Sequence, residues 1–264
     1  MATRRTRALR RLAAPLLFGA AVLGATAPAQ AAGAGSGAGP GQGGKATAEI
    51  VTTAEHQGNV AALTFDDGPN PVDTPRLLQV LRENRVKAVF CLWGEYVERH
   101  PDVVRQIAAA GHTLCNHTMH HDNLAGWTPD QAFTEEEVRA DLEATSALIR
   151  EVVPGARIPY FRAPYGAWGE HSPQVAADLG MQPLGWAVTI EDWETQDADV
   201  LAQRLEERIR ANPGGVVLLH DGPVVYDEAG QPQSFRAGTV EAVARVVPEL
   251  KAEGWRFTKP ARRG

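Results

Sequence analysis

From residue 60 onward the chain alternates short apolar, β-prone runs with longer helical patterns, and no other feature restricts the fold as much. The apolar runs cover residues 60–65, 88–92, 112–116, 158–161, 184–188, 216–219 and 255–258. Between them the spacing predicts helices over 74–84, 101–110, 134–153, 172–179, 198–211 and 239–253. Local signals mark several ends. Thr134 with Glu137 three residues on forms a capping-box pattern. Pro173 suits a first turn, and Gly111, Gly180 and Gly254 suit helix stops. Strands joined by helix-length crossovers run parallel, and a parallel sheet is covered by those helices.

Asp66, Asp67, His117, Arg162, Asp192 and His220 stand at or just past the carboxyl ends of these runs. In a (β/α) barrel such ends gather on one face, where its active sites lie. An open doubly wound sheet uses chiefly one switch point, which five separate strands would overfill. The expected architecture is therefore α/β, a distorted (β/α) barrel of about seven strands. A single catalytic domain over residues 58–260 accounts for nearly all of the chain after its first segment.

Two adjacent carboxylates at a strand end repel unless something positive shares them. Here they are Asp66 and Asp67, followed by the turn residues Gly68 and Pro69. His117 and His121 are four apart, so on a helical turn both imidazoles would reach one metal ion. His120 is expected to point away. With one oxygen from Asp66 or Asp67, the set is two histidines and a carboxylate, leaving positions open for water and substrate. Zn2+ is the default for such donors, with Co2+, Ni2+ or Mn2+ as alternatives. A lone His-x-x-x-His means little in a chain with eight histidines.

Five ordered motifs give the set its weight: TFDDG at 64–68, HTMHH at 117–121, RAPYG at 162–166, EDW at 191–193 and LLHD at 218–221. In these the chain resembles the polysaccharide deacetylases of carbohydrate esterase family four, the group with the NodB-like domain. The resemblance implies a distorted (β/α) barrel and metal-dependent removal of acetyl groups. It assigns Asp66 as general base, Asp67, His117 and His121 as metal ligands, and Arg162 as the partner of the base. It assigns His220 as general acid, Asp192 as its partner, the Tyr165 N–H as an oxyanion donor, and Trp193 and Leu218 as walls of an acetyl pocket. Metal-activated water would attack the acetamide, and a protonated imidazole would release the amine. The implied substrates are acetylated amino sugar polymers such as chitin oligosaccharides or peptidoglycan. Acetyl xylan esterase activity and non-catalytic carbohydrate binding are the alternatives. Glycoside hydrolysis fits poorly, because chain-neighbour carboxylates diverge rather than flank a sugar.

Two departures from the family pattern stand out. Family members often carry Asp three residues before the Asp-Trp pair, where this chain has Thr189. The segment 222–238 is longer than usual and reads as a hairpin, expected to form one wall of the substrate groove.

The amino terminus bears on location. Arg4, Arg5, Arg7, Arg10 and Arg11 precede an apolar, Ala-rich run to residue 27, with small-residue cleavage sites before residue 32. This is the pattern of a secretion signal over residues 1–31, too short for a membrane span. A flexible Gly/Ala-rich linker is expected over 32–57, with the folded body beginning between Thr47 and Asn59. The expected protein is secreted and extracellular, monomeric, and without stable membrane insertion once the signal is removed. Residues 1–31 hold five arginines and no acid, so the formal charge of −6 becomes −11 without them. Such an acidic chain is unsuited to binding nucleic acid through phosphate neutralisation. Cys91 and Cys115 lie in neighbouring buried runs, where a disulfide and two buried thiols are both open.

Overall fold

The computed structural model describes residues 46–263. The expected export segment and the expected linker as far as residue 45 lie outside the described residues. Strand β1 (Val60–Gly68) sits in the middle of the sheet and leads into α1 (Asp73–Glu83). Then come β2 (Val89–Leu92), α2 (Gly94–Arg99), α3 (Pro101–Ala109), β3 (Thr113–Asn116), α4 (Glu135–Val152) and β4 (Tyr160–Phe161). The second half holds α5 (Ser172–Asp178), β5 (Gln182–Pro183), β6 (Val188–Thr189), α6 (Ala198–Ala211) and β7 (Gly215–His220). The chain finishes with a hairpin of β8 (Val225–Tyr226) and β9 (Pro232–Gln233), then α7 (Ala237–Ala252) and β10 (Arg256–Phe257).

The parallel strands run in the order β5-β4-β3-β2-β1-β7-β6, with β10 paired to the start of β1. The sheet curls into a distorted (β/α) barrel with helices outside. Period-two alternation along β1 sorts its side chains. Leu63 and Phe65 join Phe90, Leu77, Leu81, Leu142 and Val243 in the layer between sheet and helices. Val60 and Ala62 turn inward to Val89, Cys91, Cys115, Tyr160 and Val216. By the same alternation Thr64 and Asp66 face the interior. On β7, Leu218 and His220 do so as well.

A disulfide joins Cys91 and Cys115, which are register partners on β2 and β3 with Cα atoms 4.2 Å apart. The capping box of α4 forms as its sequence predicts, with Thr134 and Glu137 bonding each other's backbone N–H. No helix among the described residues is long and apolar enough to cross a membrane.

Two expectations need correction, and one helix is new. The linker expected to reach residue 57 ends sooner, because Val51 and Ala54 are buried and residues 51–54 bridge Leu184, Gly215 and Pro260. This segment covers the seam between the β5 and β7 sides of the barrel. Of the strand expected over 184–188 only Val188 lies in a strand, β6; with Leu184 in a single bridge to Val51, the rest falls between β5 and β6. Between them Gly185 bonds Val51 and Ala187 bonds Val216, so the chain leaves one edge for the other. Helix α2 was not expected; it is only six residues long, below the length at which periodicity carries a signal.

Candidate active site

The site begins with an irregularity in β1. Pairing with β2 slips between Asp66 and Gly68, leaving Asp67 as a bulged residue with φ of 67°. Bulges re-aim side chains, and this one turns Asp67 away from the outward direction that strict alternation would give it. Both carboxylates therefore stay at the mouth of the barrel while meeting different partners.

Asp66 Oδ1 accepts a hydrogen bond from Arg162 Nη1 at 2.7 Å. Arg162 is fully buried at the end of β4. Its remaining donors reach Thr64 Oγ1 at 2.8 Å, the Leu184 carbonyl at 2.9 Å and the Gly185 carbonyl at 3.0 Å. A buried cation so fully paired is a fixture rather than a mobile arm. The Trp186 ring lies against the guanidinium at 5.7 Å. Gly166 makes room for that ring, since a Cβ there would lie 2.7 Å from it, and its φ of 66° also favours glycine.

Asp67 Oδ1 stands 3.2 Å from His117 Nε2 and 3.0 Å from His121 Nε2. The three donor atoms lie within 4.8 Å of one another, the one such grouping among the described residues. That oxygen is buried yet receives no hydrogen bond of good geometry. An orphaned buried carboxylate oxygen facing two imidazole nitrogens is what a cation-binding site leaves behind. His117 Nδ1 donates to the Arg162 carbonyl at 2.8 Å, which leaves Nε2 as the atom facing Asp67. Orientation of a ligating imidazole through its second nitrogen is the usual arrangement. The residues therefore fit a divalent metal ion. Burial alone would push Asp67 up, but His117 and His121 hold it well below the ordinary carboxylate value of 3.8.

The two histidines do not share a helical turn. Residues 117–121 form a bent loop with positive φ at Thr118 (64°) and His121 (56°). Asn116 Oδ1 accepts from Thr118 N, and Thr118 Oγ1 accepts from His121 N. These local side-chain bonds compete with helix formation and set the loop. His120 faces outward, 2.9 Å from Glu95 Oε1.

His220, at the end of β7, completes the interior. Its Nδ1 donates to Asp192 Oδ1 at 2.7 Å, and its backbone N–H donates to Asp192 Oδ2 at 2.9 Å. Thr239 Oγ1 also donates to Oδ2. Burial would push His220 down, but Asp192, Asp67 and Asp66 outweigh it and raise the imidazole to about 9. Burial likewise opposes ionisation of Asp192, and His220 and Arg236 bring it below 3.8.

A cavity of about 470 Å3 brings these groups together, lined by both aspartates, His117, His121 and His220, with Tyr165, Trp193 and Leu218 among its walls. A larger cavity of about 640 Å3 lies near the opposite ends of the strands, at Thr113 and Tyr160. It holds none of the grouped metal donors.

Every candidate residue thus meets on one face, with three that the sequence reading missed. Trp93 follows the carboxyl end of β2 and stacks on His121 at 4.7 Å, so the strand-end argument could have found it. Trp186 carried a signal only as a large aromatic in an apolar run. Arg236 comes from the long segment 222–238 and is buried. It donates to the Gly222 carbonyl at 2.5 Å and to the Asp192 carbonyl at 2.7 Å. The hairpin does not line the cavity and packs instead at the end of α2, where His100 bonds Tyr226 and Tyr96 bonds the Val224 carbonyl. Its expected place as a groove wall reduces to Arg236, the one member of 222–238 that lines the cavity.

Thr189 stands at the end of β6, shortly before Asp192, where family members often carry Asp. Its carbonyl accepts from Arg208, which also bonds Glu191 at 2.5 Å; Arg204 reaches the Ile190 carbonyl. Two arginines of α6 therefore brace the loop that carries Asp192. Glu191 has a φ of 48°. Of the six non-glycine residues with positive φ among those described, Asp67, Thr118, His121, Tyr165 and Glu191 all fall in the five motifs. Strain of about 1–2 kcal/mol at each is concentrated where side chains must converge.

A family model described as polysaccharide deacetylase matches residues 53–184. A chitooligosaccharide deacetylase from Sinorhizobium fredii is 37% identical over 193 residues, which is 73% of this chain and 86% of that protein. Among solved structures, the Bc1960 peptidoglycan N-acetylglucosamine deacetylase is similar with a TM-score of 0.68 and 31% identity, covering 81% of this chain and 91% of that one. A CE4-family pseudoenzyme from Bacillus anthracis is also similar, with a TM-score of 0.64 and 26% identity, covering 75% and 63% of the two chains.

Proposed function

This chain belongs to the polysaccharide deacetylase family, and we propose that it is a metal-dependent hydrolase removing N-acetyl groups from amino sugar polymers, either chitooligosaccharides or peptidoglycan. Relatives named for both substrates support the choice of chemistry without separating the two. Fold alone does not carry the reading, because a pseudoenzyme shares it. The observation that carries it is convergence on one cavity of three separately built parts: Asp66 with Arg162, Asp67 with His117 and His121, and His220 with Asp192.

Asp67, His117 and His121 would hold the ion, with Zn2+ first and Co2+, Ni2+ or Mn2+ as alternatives. When bound, it would supply Lewis acidity toward water and the acetamide carbonyl. Asp66 is the base. Arg162 binds its Oδ1, and its Oδ2 lies 3.8 Å from His117 Nε2, on the side where water would be activated. The Tyr165 N–H serves as oxyanion donor, a contribution of about 3–4 kcal/mol in comparable sites. Trp193 and Leu218 close around the acetyl methyl group. His220 protonates the departing amine, and Asp192 holds the imidazole by Nδ1 so that Nε2 is the nitrogen left to give the proton.

Export of the protein is part of the same proposal. The arginine-led apolar segment supports it, and the Cys91–Cys115 disulfide suits an oxidising compartment. A monomer acting outside the cell or at its wall is the corresponding proposal for location and assembly.

The test is acetate release by the purified protein from N-acetylglucosamine oligomers, peptidoglycan and acetylated xylan. Release from at least one amide substrate is expected. Release from xylan alone would replace the reading with an ester hydrolase. No release from any of them with divalent metal supplied would defeat it.

A further inference from the structure

Trp127 is the most exposed large apolar residue among those described, with 75% of its surface in solvent. The loop that carries it is closely braced. Leu124 is buried, and its carbonyl accepts from Phe133 N at 3.1 Å. Asn123 receives Gly126 N on its carbonyl and Ala125 N on its side chain, while Gln131 N bonds the Thr128 carbonyl. Gly126 has a φ of 73°, and a Cβ there would come within 2.6 Å of Ala132 N and the Thr128 carbonyl. The turn is therefore shut around a glycine, and the next residue is displayed outward.

What it is displayed against matters. The Trp127 ring lies 5.5 Å from that of Tyr165, which lies 4.6 Å from that of His121. Tyr165 is 61% exposed and lines the cavity. Two open aromatic faces thus step outward from the metal-ligand side of the site. We propose that Trp127, with Tyr165, forms a stacking platform for the sugar ring adjoining the one that is deacetylated. This rests on the function proposed above and adds a residue that determines preference for polymers over single sugars.

The size and chemistry of the platform favour a sugar over other occupants. Two aromatic side chains offer at most about 150–250 Å2 each, far below the roughly 800 Å2 per partner of a stable protein interface. A pyranose ring has apolar C–H faces and a polar edge, so it can stack on rigid rings while its hydroxyls stay in water. Aromatic side chains with few rotatable bonds provide such contacts at low entropic cost. Continuity with the cavity through Tyr165 places this ring next to the reacting one rather than at a remote surface.

The experiment compares wild type, Trp127→Ala and Trp127→Phe. Acetate release is measured from N-acetylglucosamine tetramer and from an aryl acetate, which has no second sugar. Tryptophan fluorescence is titrated with the tetramer in chelator, so that binding is read without turnover. Trp127→Ala is expected to raise KM on the tetramer by about tenfold, a typical loss for one stacked ring, with aryl acetate kinetics and Tm unchanged. Trp127→Phe should keep most of the wild-type KM and show a smaller fluorescence response than wild type, the remainder coming from Trp186 and Trp193 in the cavity. Equal kinetics for all three proteins on the tetramer would overturn the platform. So would equal losses on both substrates, or a Trp127-dependent shift in oligomeric state. If wild type releases no acetate from any polymer, the deacetylase reading fails separately, and the fluorescence titration alone decides the platform: quenching that depends on Trp127 supports it, and its absence overturns it.

Discussion

Asp66 and Asp67 share a peptide bond and almost nothing else. Arg162 takes the first inside the barrel, and the bulge hands the second to His117 and His121. Arg162→Ala would strand a buried carboxylate and should cost about 3–5 kcal/mol, read from urea unfolding with metal removed; a loss below about 1 kcal/mol would mean the pair is not a structural unit. Arg162→Lys should rescue little, because a single ammonium cannot span Asp66 and the carbonyls of Leu184 and Gly185 together. At the other carboxylate–imidazole pair, His220→Ala should depress amide hydrolysis far more than ester hydrolysis, since an amine needs a proton to leave. Parallel losses on both substrates would assign His220 a binding role instead. Who pairs with whom came from the likeness of the five motifs to the family; that these residues share one face was legible from strand-end position. The backbone that delivers the histidines was not, because Asn116 and Thr118 bend it through their own side chains, and a four-residue spacing describes a helix and this loop equally well.

At the scale of elements, the barrel could be read because each long strand and helix carries its own period. The failures are the short pieces. Gln182–Pro183 and Val188–Thr189 have two residues each and hold their places through neighbours rather than through any pattern of their own. The long segment after β7 was legible as a hairpin, and its purpose was not, since Arg236 reaches the site only once the chain turns back. Asp73 arranges that return: buried at the start of α1, it accepts from Ser234 Oγ, Phe235 N and Arg236 N. Replacing the tip, residues 227–231, by a two-residue turn should leave kcat and substrate preference unchanged. Arg236→Ala should lower kcat by about tenfold to a hundredfold, a scale set by small displacements of a catalytic group, because it frees the Asp192 carbonyl. A changed substrate preference in the shortened hairpin, with Arg236 in place, would restore the groove-wall role that the contacts argue against.

The whole molecule gathers ionisable groups at one mouth, so its stability should depend on pH in a way that can be calculated by sign. His220 is raised from 6.5 to about 9, so its contribution is complete below pH 6.5 and lost as pH rises through 9. His117 is raised too, despite burial, by Asp66 and Asp67, and contributes with the same sign. Burial raises Asp221 to about 7, which lowers stability as pH rises from 4 to 7; burial lowers His112 to about 4, which raises stability over nearly the same span. Those two oppose each other, leaving the fall between pH 7 and 9 to the histidines of the site. Urea midpoints in chelator should drop across that window in wild type and much less in His220→Ala; equal slopes in the two proteins would contradict the assignment. Bound metal should shrink the effect, because a dication beside Asp67 removes part of the field that holds His220 protonated.

The proposed ion between Asp67, His117 and His121 is what the other groups at the mouth are arranged around. The most direct test strips the protein of metal, titrates Zn2+ back while following bound ion and acetate release from N-acetylglucosamine oligomers, and repeats this with Asp67→Asn and His121→Ala. One ion per chain, with release returning in proportion to occupancy in wild type and both lost in the variants, is the predicted result. Undiminished acetate release from the stripped protein, or zinc-dependent release that survives loss of Asp67 and His121, would contradict it.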